Sequence, residues 1–315
     1  MPQFDWRNRS VVVTGGAGFL GSHVVDRLES LGASVHVPRS AAVDLRDAGA
    51  CRDWFADRRP EVVIHCAVDG GGIGYMRANP ASVFHNNTRL NTAVLHAAWE
   101  VGVERFVGVS SVCAYPRDAP VPMREETVWD GLPEPTNGPY GQSKRLLMAM
   151  GAAYHAQYGF RAVFPMPVNL YGPRDAFDPE RSHVVPALIR RFIEAKTASA
   201  AEVTAWGTGT ATRELLYVED CAEAIVLSAE HLDDPAPINL GTGVELRVSE
   251  IAQTVADAVG YDGQILWDTS KPDGQPRKCL DVSRARDRLQ WTASTPLPEG
   301  LERTVGWYLS QRDVV

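Results

Sequence analysis

Apolar residues in the first half of the chain fall into short continuous runs separated by longer stretches with helical spacing. The runs Val11–Thr14, Ser34–Val37, Val62–His65, Arg105–Val109 and Ala162–Met166 predict strands. The stretches Leu20–Leu31, Ala81–Val101 and Gly141–Tyr158 predict amphipathic helices between them. This alternation predicts an α/β fold built on a doubly wound parallel sheet. Strands without polar alternation fit a sheet covered on both faces. After Gly172 the pattern changes. Residues Pro173–Ser182 are polar and irregular, Val184–Ala195 predicts a helix, and Val203–Trp206 predicts a short strand. Arg213–Val218 and Glu219–His231 predict a further strand and helix. Ile238–Leu240 precedes a Gly-Thr-Gly turn, and Val248–Val259 predicts a helix.

Composition narrows the partners. The chain has 315 residues, 44% hydrophobic and 22% charged, with a formal net charge of -8. With no long basic run, nucleic acid and anionic membranes are excluded as partners. A diphosphate is not excluded, because a few local arginines suffice to hold one. The cysteines Cys51, Cys66, Cys113, Cys221 and Cys279 are odd in number and lack CxxC spacing. No disulfide framework and no metal site is expected. Met1 to Ser10 is polar and charged, and no apolar run reaches ~18 residues. The expectation is a soluble cytoplasmic protein.

The first strand runs into Thr14-Gly15-Gly16-Ala17-Gly18-Phe19-Leu20-Gly21, a glycine turn that opens a helix. Glycines at 15, 18 and 21 let the turn take positive φ, let backbone N–H groups approach a pyrophosphate, and let helix pack on strand. The helix N-terminus then faces the phosphate charge. This is the opening of a Rossmann dinucleotide-binding unit. Phe19 and Leu20 belong to the same cradle. The second strand ends Val37-Pro38-Arg39-Ser40, with no acidic residue to hold a ribose 2′-hydroxyl. Arg39 suits a 2′-phosphate, so NADP(H) is favoured over NAD. Asp44 and Leu45 are candidates for the adenine edge. The expected division is a dinucleotide-binding domain over 1–172 and a smaller C-terminal α/β substrate domain over 173–315. A strand and helix near 213–240 are expected to return to the first domain.

Tyr140-Gly141-Gln142-Ser143-Lys144 places a tyrosine and a lysine at i and i+4, on one helical face. An adjacent ammonium is expected to lower the Tyr140 pKa from ~10, preparing the phenol to pass a proton. About thirty residues earlier, Val107–Ser111 ends a strand in hydroxyl residues. Ser111 is a candidate donor to a substrate carbonyl. Turn capping is the structural alternative for Ser110 and Ser111.

These motifs, in this order, resemble the extended short-chain dehydrogenase/reductases, and within them the GDP-L-fucose synthases. The resemblance spans nearly the whole chain. It rests on SVCAYP (111–116), EPTNGPYGQSK (134–144), NLYGP (169–173), SHVVPALIRRFIEA (182–195), WGTGTATRELLYVED (206–220), NLGTGV (239–244) and SKPDGQPRKCLD (270–281). It implies Ser111, Tyr140 and Lys144 for redox chemistry, with Cys113 and His183 as the acid/base pair for epimerisation. It implies substrate contacts at Arg191, Trp206, Arg213 and Asp273. Pro167, Asn169 and Leu170 would line the nicotinamide side. The implied reaction is 3,5-epimerisation and 4-reduction of a GDP-4-keto-6-deoxy-hexose with NADPH. A homodimer is implied by related enzymes.

Two segments depart from that pattern. The phosphate loop GGAGFLG lacks a basic residue typical of the fucose synthases. Residues 67–79 (AVDGGGIGYMRAN) look more like GDP-mannose 3,5-epimerases. An epimerase of that type, with no net redox change, is therefore the alternative. Another nucleotide-sugar epimerase or reductase is a further one. A non-catalytic NADP-binding sensor is disfavoured because Tyr140 and Lys144 are both present.

Overall fold

The computed structural model describes residues 4–179, 181–271 and 274–312. Its strands are β1 (Ser10–Thr14), β2 (Ser34–His36), β3 (Val62–His65), β4 (Arg105–Gly108), β5 (Ala162–Pro167), β6 (Asn169–Tyr171), β7 (Glu202–Trp206), β8 (Thr212–Arg213), β9 (Leu215–Tyr217), β10 (Pro237–Leu240), β11 (Leu246–Arg247) and β12 (Gln264–Asp268). Its α-helices are α1 (Phe19–Ser30), α2 (Ala48–Arg58), α3 (Ile73–Ala78), α4 (Pro80–Glu100), α5 (Gly138–Tyr158), α6 (Val184–Thr197), α7 (Val218–His231), α8 (Val248–Val259), α9 (Ser283–Leu289) and α10 (Leu297–Arg312).

Six parallel strands form the main sheet in the order β10-β5-β4-β3-β1-β2. The chain winds outward from β1 to β2, then returns to the other side of β1 with β3. The strand order therefore reverses between β1 and β3, the point beyond whose strand C-termini open α/β sheets bind their ligands. Helices α1 and α7 pack together on one face, and α2, α4 and α5 cover the other. All four residues of β3 are buried, as are all six of β5. That double burial is why these strands read as unbroken apolar runs.

Helix starts follow local chemistry. Pro80 opens α4 and Pro139 lies in the first turn of α5, where a missing N–H costs nothing. Both helices thus begin slightly earlier than periodicity predicts. The expected single strand over 213–218 is divided by Glu214. Its first part, β8, pairs antiparallel with β11, and its second, β9, pairs parallel with β6.

Two apolar cores result. The larger joins the main sheet with α7 residues Ala222 and Ile225, β10 residues Ile238 and Leu240, and Leu289 of α9. The smaller gathers Tyr171, Leu188, Ile189, Phe192, Ile251, Val255 and Leu301, with α8 packed against α6 and α10. Glu214 is fully buried between them. Its carboxylate accepts the backbone N–H groups of Thr242 at 2.6 Å, Gly243 at 2.7 Å and Leu280 at 2.7 Å. Burial pushes this carboxyl upward, and the three N–H donors oppose the rise. No helix among the described residues is long and apolar enough to cross a membrane.

Candidate active site

The glycine turn after β1 has the geometry of a phosphate cradle. Gly15 takes φ +69°, and a Cβ there would press on the backbone of Ala67. A Cβ on Gly21 would overlap the Gly15 carbonyl oxygen, so only glycine lets α1 approach the turn this closely. Gly18 is the N-cap of α1. It supplies no side-chain cap, and the first turn, beginning Phe19-Leu20, contains no acidic residue. The N-terminal N–H groups of α1 are thus left to a ligand, and the site fits a dinucleotide pyrophosphate.

Beyond β2, Arg39 is exposed and forms no ion pair among the described residues. Its backbone carbonyl accepts from Ala42 and Val43, which turns the chain. Asp44 is clamped by Arg46 through contacts of 2.9 Å on both carboxylate oxygens, and this holds its pKa at about 2. Leu45 points into the core, so only its backbone is available to an adenine. Pro167 ends β5 in the core. Asn169 and Leu170 begin β6 half-buried, and the Asn169 amide donates to the Glu214 carbonyl at 3.5 Å.

The structure brings Ser111, Cys113, Tyr140 and Lys144 together. Ser111 caps a single 3₁₀ turn over Val112–Ala114, its Oγ accepting from the Cys113 N–H at 3.2 Å. This cap uses a lone pair and leaves the hydroxyl hydrogen to be donated elsewhere. The turn lies directly on α5, because a Cβ on Gly141 would overlap the Cys113 carbonyl. Arg145 Nε donates to the Ala114 carbonyl at 2.7 Å and fastens the far end of the turn. Lys144 is buried. Its Nζ donates to the Val109 carbonyl at 2.7 Å and lies 5.6 Å from the Tyr140 ring centroid.

The expected lowering of the Tyr140 pKa is overturned here. Burial pushes the phenol above its ordinary value, the neighbouring Cys113 adds to the rise, and hydrogen bonding with Ser111 opposes it. The Lys144 ammonium, bound to the Val109 carbonyl and 5.6 Å from the ring centroid, does not offset this burial. The same burial lowers the Lys144 ammonium to about 8. Ser110, by contrast, is buried with its Oγ unpartnered among the described residues.

The remaining candidates lie in the segments that follow β5. His183 is the N-cap residue of α6, with a half-exposed ring whose Nδ1 is 4.0 Å from Asp175 Oδ1. Its segment is tied to the glycine-rich loop after β3. Gly72 N–H donates to the Arg181 carbonyl at 2.8 Å, and the Arg181 guanidinium lies 5.0 Å from the Tyr75 ring centroid. Tyr75 in turn donates to Asp69 at 2.7 Å. Trp206 is 58% exposed, an unusual state for so large an apolar surface. The Arg191 guanidinium lies 5.7 Å from its ring centroid, and Lys271 Nζ lies 5.8 Å away. Arg213 is held by the carbonyls of Thr212 and Gln275, each at 2.7 Å. Asp273 lies outside the described residues.

A family model described as the NAD dependent epimerase/dehydratase family matches residues 11–241. The chain belongs to this family. It is 42% identical over 301 residues to a probable GDP-L-fucose synthase 1 of Oryza sativa subsp. japonica, covering 95% of this chain and 92% of the relative. It is 40% identical over 315 residues to the GDP-L-fucose synthase of Escherichia coli (strain K12), covering 96% and 97%. A solved GDP-L-fucose synthetase from Naegleria fowleri, bound to NADP, superposes with a TM-score of 0.88. It has 28% identity, covering 98% of this chain and 96% of that one.

For an epimerase/dehydratase chain, sequence reasoning missed one buried polar chain altogether. Thr14 Oγ1 lies 2.6 Å from His65 Nδ1, His65 Nε2 lies 3.0 Å from Asn91 Oδ1, and Asn91 donates to the Ser143 carbonyl at 2.9 Å. Thr14, His65, Asn91 and Ser143 are all fully buried. They connect the strand before the glycine cradle to the helix turn between Tyr140 and Lys144. Burial, with the nearby Lys144 charge, lowers His65 to about 3, so its ring is neutral at pH 7. Asp175, Arg145 and Lys271 were also missed. Asp175 follows the NLYGP segment by two residues, and Lys271 is the second residue of SKPDG, so motif membership was the available signal.

Proposed function

We propose that this chain is a GDP-L-fucose synthase-type enzyme that converts a GDP-4-keto-6-deoxy-hexose to a GDP-6-deoxy-L-hexose with NADPH. The observation that carries this reading is the Cys113 thiol beside the Tyr140 phenol and Ser111 hydroxyl, on a turn fastened to α5. A reductase alone needs the phenol and hydroxyl. A thiol at the same place adds a group that can move a proton on carbon.

A C4 carbonyl acidifies the hydrogens at C3 and C5, because the resulting carbanion is delocalised as an enolate. Cys113 and His183 serve as the acid/base pair, one removing a proton and the other returning it to the opposite face. Ser111 and Tyr140 donate to the C4 oxygen and stabilise the enolate. Tyr140 later gives its proton to the C4 alkoxide, and a phenol kept protonated by burial is ready for that step. Lys144 supplies positive charge beneath the phenol. Bound NADPH supplies the hydride for C4. Gly15, Gly18, Phe19, Leu20 and Gly21 hold its pyrophosphate, and Arg39 its 2′-phosphate. Asp44 and Leu45 flank its adenine, and Pro167, Asn169 and Leu170 line its nicotinamide side. Arg191 and Arg213 pair with the substrate diphosphate, Trp206 packs on the nucleotide, and Asp273 contacts the substrate.

The chain is proposed to work in the cytoplasm as a homodimer joined through α4 and α5. The outer surface of these helices carries an aromatic group formed by His96, Trp99, Tyr154 and Tyr158.

The alternative, transient oxidation and 3,5-epimerisation of a GDP-hexose with no net redox change, draws on the glycine-rich segment at 67–79. The two readings separate on incubation with GDP-4-keto-6-deoxy-mannose and NADPH. Stoichiometric loss of nicotinamide absorbance with inversion at C3 and C5 is the expected result. Inversion of GDP-mannose without NADPH consumption would establish the alternative. Cys113→Ser is expected to lose inversion far more than simple keto reduction. Equal loss of both activities would refute this division of labour.

A further inference from the structure

We infer that Asp175 is a positioning residue for His183, holding the imidazole in its proton-transfer orientation; this rests on the proposed role of His183 in epimerisation. The two residues lie eight apart in the irregular segment between β6 and α6. Asp175 Oδ1 is 4.0 Å from His183 Nδ1. The Asp175 side chain is 3% exposed, whereas that of His183 is 57% exposed. A carboxylate placed this deep beside a solvent-facing imidazole calls for an explanation, because burying a charge without full pairing is costly.

The neighbours of Asp175 do not supply one. Its Oδ1 accepts the Ala176 N–H at 2.7 Å, which fixes the carboxylate plane. Its Oδ2 is buried and has no hydrogen-bond partner among the described residues. The adjacent arginine, Arg174, is committed elsewhere, to Asp26 at 2.7 Å. Structural carboxylates in this chain look different. Glu214 and Asp220 are saturated by backbone N–H and hydroxyl donors. Asp175 retains unused acceptor capacity, and it faces the one ring in this segment that can donate to it.

The chemistry follows from the tautomer. An imidazole that exchanges a proton with carbon through Nε2 needs Nδ1 held in one protonation state and the ring held in one plane. A carboxylate accepting from Nδ1–H does both. The backbone sets the approach. His183 is the N-cap of α6 with extended geometry and makes no side-chain cap of its own, so its ring is not tied to the helix. The backbone bond from Gly72 to Arg181 anchors the segment just before it. The 4.0 Å separation must close by about 1 Å for that bond to form, and we assign that movement to the ring of His183.

The test is deuterium uptake at C3 and C5 of the keto-sugar nucleotide in D2O, with NADP+ in place of NADPH so that no reduction occurs. Asp175→Asn keeps an acceptor for Ala176 N–H but removes the charge. It is expected to slow uptake about tenfold while the KM for sugar nucleotide and the affinity for NADPH stay unchanged. Asp175→Glu restores the carboxylate and is expected to recover most of the rate. In a His183→Asn background, Asp175→Asn should cost nothing further, because its target is gone. Asp175→Ser serves the same purpose if the Asn variant does not fold. Uptake at the parental rate in the folded Asn or Ser variant would overturn the inference. So would an undiminished loss in the His183→Asn background. Uptake that survives His183→Asn alone would instead remove His183 from the epimerisation machinery, a separate failure of the proposed function.

Discussion

The two ends of the crevice are built on opposite terms. At the dinucleotide end, the glycine turn and the elements behind it are fixed by backbone contact or buried polar bonding, with Arg39 the exposed exception. Gly21 lies against Gly15, Gly141 against Cys113, and a buried polar chain runs from Thr14 through His65 and Asn91 to Ser143. At the proposed sugar end, Trp206, Lys271 and His183 are exposed or half-exposed, and the contacts given for their side chains are ring–cation or long ionic ones of 4.0 to 5.8 Å. Proton and hydride transfer need atoms held within fractions of an ångström, whereas nucleotide and sugar recognition tolerates side chains that settle onto the ligand. The contrast teaches that, on the proposed roles, the hydride-transfer groups lie in the packed end, while His183 brings proton transfer out to the exposed rim.

The sharpest way to break the contrast is at the packed end. Gly21→Ala puts a methyl group into the Gly15 carbonyl and forces α1 off the turn. We expect a loss of about 3 kcal/mol in stability. NADPH affinity should fall by about a hundredfold, read by thermal melting and by cofactor fluorescence titration. A second probe uses pH. Because the folded value for His65 lies near 3 and its ordinary value is 6.5, the unfolded chain binds the proton more tightly. The stability present above pH 6.5 is therefore lost as pH falls through that value, by about 1.4 kcal/mol per unit, and the loss levels off below about pH 3. His65→Asn should flatten this limb of the melting-temperature profile; an unchanged slope would place the titration elsewhere. The smallest effect belongs to the exposed rim. Trp206→Ala should raise the KM for sugar nucleotide about tenfold and leave NADPH affinity and melting temperature within error.

How much of this was readable in sequence follows the same divide, for a different reason. The cradle was legible because Gly15, Gly18 and Gly21 act within one strand–turn–helix unit, and Tyr140 and Lys144 because one helical turn joins them. The Thr14–His65–Asn91–Ser143 chain was not, since its members are 26 to 52 residues apart and meet only once the sheet is wound. The direction of the Tyr140 shift was misjudged for a related reason. Sequence spacing reveals the neighbouring cation but not the burial that outweighs it. Glu214 was invisible in another way. A charged residue inside an apolar strand reads as an outward-facing position, yet its three backbone partners come from segments 28 to 66 residues later. The helix α3 was hidden by glycines at 70–72 and 74, which read as loop.

The placement of Glu214 limits how the molecule can move. One carboxylate grips the Gly-Thr-Gly turn after β10 and the chain at Leu280, so these two stretches are held to each other at the junction of β8 and β9. The irregular stretch between β6 and α6, which carries both Asp175 and His183, has no bond to that carboxylate among the described residues and is tied instead to Gly72.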